Sequence, residues 1–283
     1  MDETPDAAEW IPGRAVAIAP GVRRVLAPNP GPMTGPGTNT YLVGRDRVVI
    51  LDPGPALDSH VAAILAAVGR ATVVAIAVTH THRDHSPAAA PLHAALGAPR
   101  RGALPRHREF HDASFVADLP AGDGTVLDTD VGALRAVATP GHASNHLCWV
   151  QPDGRRLYTG DHVLGTVSPV ILPPDGDMSE YLDSLARLDA LEAQTILPGH
   201  GPVLAEPKAV IAGLVRHRQM REARVLAALR DLGPASIEEL LPQVYADVDP
   251  ALHAMARYSL EAHLLKLERE RRARRDDGRW QAR

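Results

Sequence analysis

Val78-Thr79-His80-Thr81-His82-Arg83-Asp84-His85-Ser86-Pro87 is the stretch from which the fold is read. Within it His80, His82, Asp84 and His85 fall inside six residues, directly after the apolar run Thr72 to Val78. A run of that length and β-branched content predicts a buried strand, which delivers polar side chains at its C-terminal end. Ala88 to Leu96 has helical composition, so the cluster is predicted on a loop between strand and helix, where α/β proteins place ligand sites. On such a loop His80 and His82 can point one way while Asp84 and His85 turn toward a second point nearby. That is a layout for two metal ions.

The pattern His-x-His-x-Asp-His resembles the signature of the metallo-β-lactamase superfamily. Three further motifs stand in the order that signature requires: Thr139-Pro140-Gly141-His142, Tyr158-Thr159-Gly160-Asp161 and Leu197-Pro198-Gly199-His200-Gly201. Each follows an apolar or β-branched segment and a glycine turn. The resemblance implies that His80, His82 and His142 hold one metal, that Asp84, His85 and His200 hold the other, and that Asp161 bridges them. Asp84 and Asp161 are the carboxylates it implies for catalysis. The remaining histidines are expected to be ordinary surface or core residues, with His146 and His162 set apart because each lies close to a proposed ligand.

Length and composition fit this picture. The 283 residues allow one large domain or a large and a small one, and with only 4% aromatics the core must be filled by Ala, Val and Leu. A net charge of −4 hides a split, with residues 1–205 at −7 and residues 206–283 at +3, so the tail admits contact with a polyanion. Cys148 is the only cysteine, which excludes an intrachain disulfide, and its place in the apolar stretch Leu147 to Val150 makes it a small core residue rather than a nucleophile. No basic-then-apolar leader opens the chain and no window approaches eighteen uninterrupted apolar residues. A cytoplasmic protein with no membrane contact is expected.

Along the chain, Ala15 to Leu26 suits a strand pair, and Thr38 to Gly44 and Val48 to Gly54 two more strands. Asp52 ends the last of these. An aspartate so placed in the superfamily braces the metal loop, and the chemistry agrees, since a ligand imidazole needs an acceptor on its other nitrogen to fix its tautomer. Leu57 to Gly69 and Met178 to Leu191 have helical spacing, with Asp58 or Ser59 near the start of the first. Pro152-Asp153-Gly154 looks like a hairpin turn between the strands Leu147 to Val150 and Arg156 to Thr159, and Thr195 to Leu197 is the strand delivering His200. Strands ending in ligands, with helices outside, give an αββα sandwich of the α/β (α+β) class over residues 1–205.

Pro202 to Pro207 marks a boundary, and residues 206–283 read as a second, winged-helix-like domain. Its helices are predicted over Lys208 to Leu232, Ser236 to Gln243 and Pro250 to Glu270, followed by a basic hairpin turning at Asp277-Gly278. Leu252, Met255, Leu260, Leu264 and Leu267 describe the buried face of the last helix, and the arginines from Arg269 to Arg279 a solvated one.

Asn29-Pro30-Gly31-Pro32-Met33-Thr34, then Gly37 to Val43, then Thr81 to Ser86 and the tail, resemble the β-lactamase-like protein 2 family over nearly the whole chain. Its animal member is an endoribonuclease acting on single-stranded RNA. Two departures stand out: Asn145 where relatives often carry an acid, and a loop of bacterial kind over Pro173 to Met178. The resemblance implies two zinc ions that lower the pKa of a shared water from 15.7 toward ~7 and supply the nucleophile, with iron and manganese also suited to these ligands. The leading expectation is a metal-dependent hydrolase, with nuclease cleavage of single-stranded RNA as the activity the family implies. A glyoxalase-II-like thioesterase or other small (thio)ester hydrolase is the runner-up. An iron-dependent redox enzyme and a winged-helix nucleic-acid binder with a vestigial site are the rivals from other classes.

Overall fold

The computed structural model describes residues 10–151, 155–165 and 167–283. Seven strands form the first sheet in chain order: β1 (Ala15–Ala19), β2 (Val22–Leu26), β3 (Asn39–Val43), β4 (Arg47–Leu51), β5 (Thr72–Ala77), β6 (Arg100–Gly102) and β7 (Leu119–Pro120). β1 to β4 run antiparallel, and β5 to β7 then add in parallel. The second sheet takes β8 (Val126–Leu127), β9 (Leu134–Ala138), β10 (Leu147–Val150), β11 (Arg156–Gly160), β12 (Thr195–Pro198) and β13 (Leu204–Ala205), again as consecutive neighbours. Its one parallel pair is β11 with β12.

Strand period two sorts the apolar residues into layers. On β4, Val49 and Leu51 join Trp149 and Tyr158 in the core between the sheets, while Val48 and Ile50 face the helices α1 (Asp58–Val68) and α2 (Ala89–Leu96). The far face of the second sheet packs Val150 and Leu157 against Tyr181, Leu185 and Leu188 of α3 (Met178–Asp189). The result is the αββα sandwich, filled largely by Ala, Val and Leu as the composition requires. Cys148 lies buried in the outer core, its thiol pushed up to about 12 by burial, which leaves it a packing residue. The turn at residues 152–154 lies outside the described residues, but β10 and β11 on either side pair antiparallel.

Three more helices follow: α4 (Pro207–Leu232), α5 (Ile237–Val244) and α6 (His253–Arg269), then the hairpin β14 (Ala273–Asp276) and β15 (Arg279–Ala282). Asp277 and Gly278 both have positive φ, 43° and 76°, the backbone that a tight two-residue turn demands. α4 is long enough to join two cores. Ile211 and Leu214 pack on the sandwich, whereas Val225 and Leu229 pack with Leu260, Leu264, Leu267 and Trp280 in a separate C-terminal core. The segment beginning at 206 therefore starts as part of the sandwich's outer layer.

The last helix corrects the sequence in two respects. It begins at His253, because Asp249 caps a single 3-10 turn at Pro250–Leu252 ahead of it. Leu252 is not on the buried face: it is 42% exposed, and Met255 is half-buried, because this end of the helix looks into a cleft rather than into the C-terminal core. Among the described residues no helix is long and apolar enough to cross a membrane.

Candidate metal centre

All seven residues implied from the sequence meet at one edge of the sandwich. His80, His82, Asp84 and His85 lie on the loop after β5 of the first sheet, and His142, Asp161 and His200 follow β9, β11 and β12 of the second. Glycine permits the close approach. A side chain at Gly199 would lie 2.7 Å from both Asp161 Oδ1 and His85 Cε1. At Gly141, φ is +139° and a Cβ would meet the backbone of Tyr181 at 2.3 Å.

The residues sort into two groups. His80 Nε2 and His142 Nε2 lie 2.9 and 3.1 Å from His82 Nδ1. An ion bound tetrahedrally with bonds of ~2.1 Å separates its ligand atoms by about 3.4 Å, so these three nitrogens need spread only slightly to hold one. In the second group Asp84, His85, Asp161 and His200 each offer a ligand atom within 4.8 Å of the others. Asp161 spans the two groups: its Oδ1 is 3.3 Å from both His85 Nε2 and His200 Nε2, and its Oδ2 is 3.8 Å from His142 Nε2.

Two observations test whether a metal fits. His85 Nε2, His200 Nε2 and Asp161 Oδ1 are buried without a hydrogen bond of acceptable direction, an arrangement that is costly unless something accepts their lone pairs. The opposite ring nitrogens are engaged. His142 Nδ1 donates to the Val170 carbonyl at 2.8 Å and His200 Nδ1 to the Gly37 carbonyl at 3.1 Å. His85 Nδ1 donates to Asp52 at 3.1 Å. His80 Nδ1 meets Thr79 Oγ1, which donates in turn to Asp52. Because carbonyls and carboxylates only accept, these bonds fix the tautomers that leave Nε2 free to ligate. Asp52 also accepts the Thr79 backbone N–H at 2.7 Å, and it sits at φ 50°, so the strand-ending aspartate braces the loop as its position in the sequence suggested.

Electrostatics separate the groups further. Burial holds His80, His82 and His142 below the ordinary imidazole value, in the neutral state that ligation needs. Burial opposes charge on His85 and His200 too, but the carboxylates of Asp84 and Asp161 outweigh it. His85 is raised well above its usual value and His200 to about 10. Burial would raise the carboxyls, yet these imidazoles bring Asp84 down to about 2 and Asp161 well below the usual range. With a divalent ion in the second group these imidazoles would be neutral and ligate through Nε2.

Several further residues lie close to this centre, and of these His111 carried no signal in the sequence. His111, expected to be ordinary, bridges Thr81 Oγ1 at 2.8 Å and Asp175 Oδ2 at 3.0 Å, with its ring 4.7 Å from that of His82. Asp175 in the 173–178 loop also takes the His107 and Ser144 backbone N–H groups. Asn145 donates to Thr81 Oγ1 and to the Ala103 carbonyl, both at 2.9 Å, and an ionised acid, which only accepts, could not bond that carbonyl. His146 stacks on His80 at 5.1 Å and is held by Thr139, whereas His162 packs on Tyr181 at 4.6 Å with neither ring nitrogen bonded.

The centre opens into a cleft of about 470 Å³ between the sandwich and the C-terminal helices. His82, Asp84, His142 and Asp161 line it on one side; Met33, Phe110, Leu164, Val170, Leu252 and Met255 make much of the rest.

The Metallo-beta-lactamase superfamily model matches residues 33–200, and the chain belongs to that superfamily and is a hydrolase of its fold. The Beta-lactamase associated winged helix domain model matches residues 236–280. A Beta-lactamase-like protein 2 homolog of Caenorhabditis elegans is 29% identical over 255 residues, covering 88% of this chain and 85% of its own. An atrochrysone carboxyl ACP thioesterase of Aspergillus chevalieri is 32% identical over 269 residues, covering 90% of this chain and 83% of its own. Among solved structures, a metallo-beta-lactamase family protein from Thermus thermophilus superposes with a TM-score of 0.79 at 25% identity, covering 94% of this chain and all of that one.

Proposed function

We propose that this chain is a dinuclear metal hydrolase of esters or thioesters with an apolar acyl part. The observation that carries this is the cleft, whose wall facing the metal centre is largely apolar, its arginines Arg218 and Arg221 recessed and 3% exposed rather than set along an open basic groove that tracks a phosphate backbone. Three of the tail arginines are drawn into ion pairs. Arg269 pairs with Asp177, Arg272 with Glu222 and Glu270, and Arg279 with Glu239. The thioesterase among the relatives supports the same choice.

His80, His82 and His142 would hold one ion, Asp84, His85 and His200 the other, with Asp161 between. Zinc suits these ligands, as do iron and manganese. When bound, the metals supply Lewis acidity and a water of lowered pKa. The chain supplies the rest. Val170, Leu252 and Met255 exclude bulk water from the acyl group and press it against the centre. Asp84, 29% exposed at its side chain and lining the cleft, stands where its carboxylate takes the proton released as water adds to the acyl carbon. It returns that proton to the departing thiolate or alkoxide as the C–S or C–O bond breaks, releasing the thiol or alcohol.

Elemental analysis of the purified chain should find close to two metal ions, mainly zinc. A clear stoichiometry of one, or mostly iron with oxygen consumption, would overturn the dinuclear hydrolase. A side-by-side assay of an acyl thioester, a nitrophenyl phosphodiester and a single-stranded RNA oligomer should show turnover of the thioester. If only RNA is cut, and neutralising Arg271, Arg272, Arg274 and Arg275 weakens cleavage more steeply as salt rises, the chain is instead a nuclease guided by its tail.

A further inference from the structure

The cleft holds a cation that the chemistry at the metals does not use. Arg218, on the stretch of α4 between its two cores, lines the cleft yet is only 3% exposed. Its Nη2 donates to the Pro169 carbonyl, and its guanidinium lies 5.0 Å from the ring centre of Tyr181. Its Nε has no partner, and among the described residues no carboxylate pairs with it. A buried guanidinium without a counter-charge is expensive to maintain. Its neighbour Arg221, also lining the cleft and 3% exposed, shows the contrast: Asp247 neutralises it at 2.7 Å while its face covers Tyr245. His217 adds a further cleft-lining donor with an unpartnered Nδ1. Burial and the Arg218 charge together hold His217 and the buried His263 below their ordinary values, so positive potential collects here without a histidine to share it.

The loop carrying Pro169 fixes the span. The Pro169 carbonyl receives Arg218, and the next carbonyl, Val170, receives the ligand His142 at 2.8 Å. Ile171 N is tied to Ser259 Oγ of α6 at 3.3 Å. Consecutive residues of one strap, ~3.8 Å apart at Cα, therefore hold the guanidinium and the metal-binding imidazole. Both His142 and Arg218 line the one cleft.

We infer that Arg218, with His217 beside it, is an anion-recognition subsite that receives a carboxylate or phosphate borne by the substrate while the scissile ester lies at the metal centre. This rests on the ester-hydrolase function proposed above and adds to it that the preferred substrate is apolar along its body and anionic at its end. A charge-assisted hydrogen bond in a dry cleft gives discrimination of about tenfold or more between an anion-ended ester and its neutral counterpart.

The experiment uses the enzyme as isolated and three nitrophenyl esters of one chain length: the half-ester of octanedioic acid, the same ester capped as a methyl ester, and an analogue ended by a phosphate. Wild type should favour one or both anionic esters over the capped one by about tenfold in kcat/KM, and whichever anion is favoured identifies the source. R218Q should bring the ratio close to one, and R218K should keep part of it through charge without the planar fork. Octanedioate binding, measured by calorimetry, should weaken in R218Q by a similar factor. Should R218Q fail to fold, the wild-type ratio and R218K still decide. Equal turnover of capped and anionic esters by wild type overturns the subsite while upholding ester hydrolysis. No turnover of any ester, with octanedioate binding that R218Q abolishes, leaves the subsite standing and removes the ester function.

Discussion

The two walls of the cleft are built on opposite principles. The sandwich wall is a polar cluster in which nearly every atom is assigned: rings locked by Asp52, Thr79 and backbone carbonyls, ligand atoms converging on two points. The C-terminal wall is apolar side chain from a helix end and one uncompensated guanidinium. On the function proposed above, the first would determine what reaction takes place and the second which molecule undergoes it. If so, changes to the first wall should erase turnover, whereas changes to the second should redistribute it among substrates.

Asp161→Ala is the severest break. Losing the carboxylate shared by both groups should lower hydrolysis by more than the roughly 10²–10³-fold that removing one oriented donor costs. Circular dichroism should stay native and the metal content fall below two per chain. Retained activity would refute the bridging role.

Asp52→Ala strikes the same wall indirectly. With His85 Nδ1 and the Thr79 N–H left without their acceptor, metal affinity should fall by roughly 10–100-fold, read as ions lost to a competing chelator. Unaltered affinity would mean that the aspartate only ends its strand.

On the other wall, Met255→Ser should raise KM for a long-chain ester by on the order of tenfold relative to an acetyl ester, since it removes apolar surface that the chain covers. A uniform fall in kcat for both esters would show that the helix acts on the chemistry, and the division between the walls would fail.

The smallest effect tests whether the second wall has stability of its own. Ser236 caps α5, accepting from Glu239 N at 3.3 Å, while the Glu239 carboxylate accepts from Ser236 N at 2.7 Å. Ser236→Ala should cost about 1 kcal/mol in the C-terminal core, seen by hydrogen exchange in α5 and α6 with little change around the ligand loops.

The same division explains what was legible in the sequence. The clustered histidines and aspartates could be read because each group follows a buried strand, and His142, Asp161 and His200 each follow a glycine, so type and spacing are local; Gly141 and Gly199 are part of the signal as much as His142 and His200. Asp52 was readable by its place at a strand end. Leu252 and Met255 were misread because helical periodicity reports an apolar stripe and not whether a core or a cleft lies opposite. Arg218 gave no signal, since a long helix with many charges looks solvated throughout, and His111 gave none because its partners are distant in the chain. The Thr81–His111–Asp175 chain joins residues 30 and 64 positions apart.

One feature of the sandwich reaches beyond catalysis. Asn39 on the first sheet clasps the His200 loop of the second, donating to the Pro198 and Gly201 carbonyls at 3.0 and 2.9 Å, and Tyr41 adds a bond to Pro198 at 2.9 Å. Ligands enter from both sides of that clasp, so the cluster exists only while the sheets are docked. Any ion it binds then weights the folded state by mass action, roughly 1.4 kcal/mol for each tenfold of free metal above the dissociation constant. The melting temperature becomes a gauge of metal supply, and a cell short of the ion would lose the protein as well as its turnover.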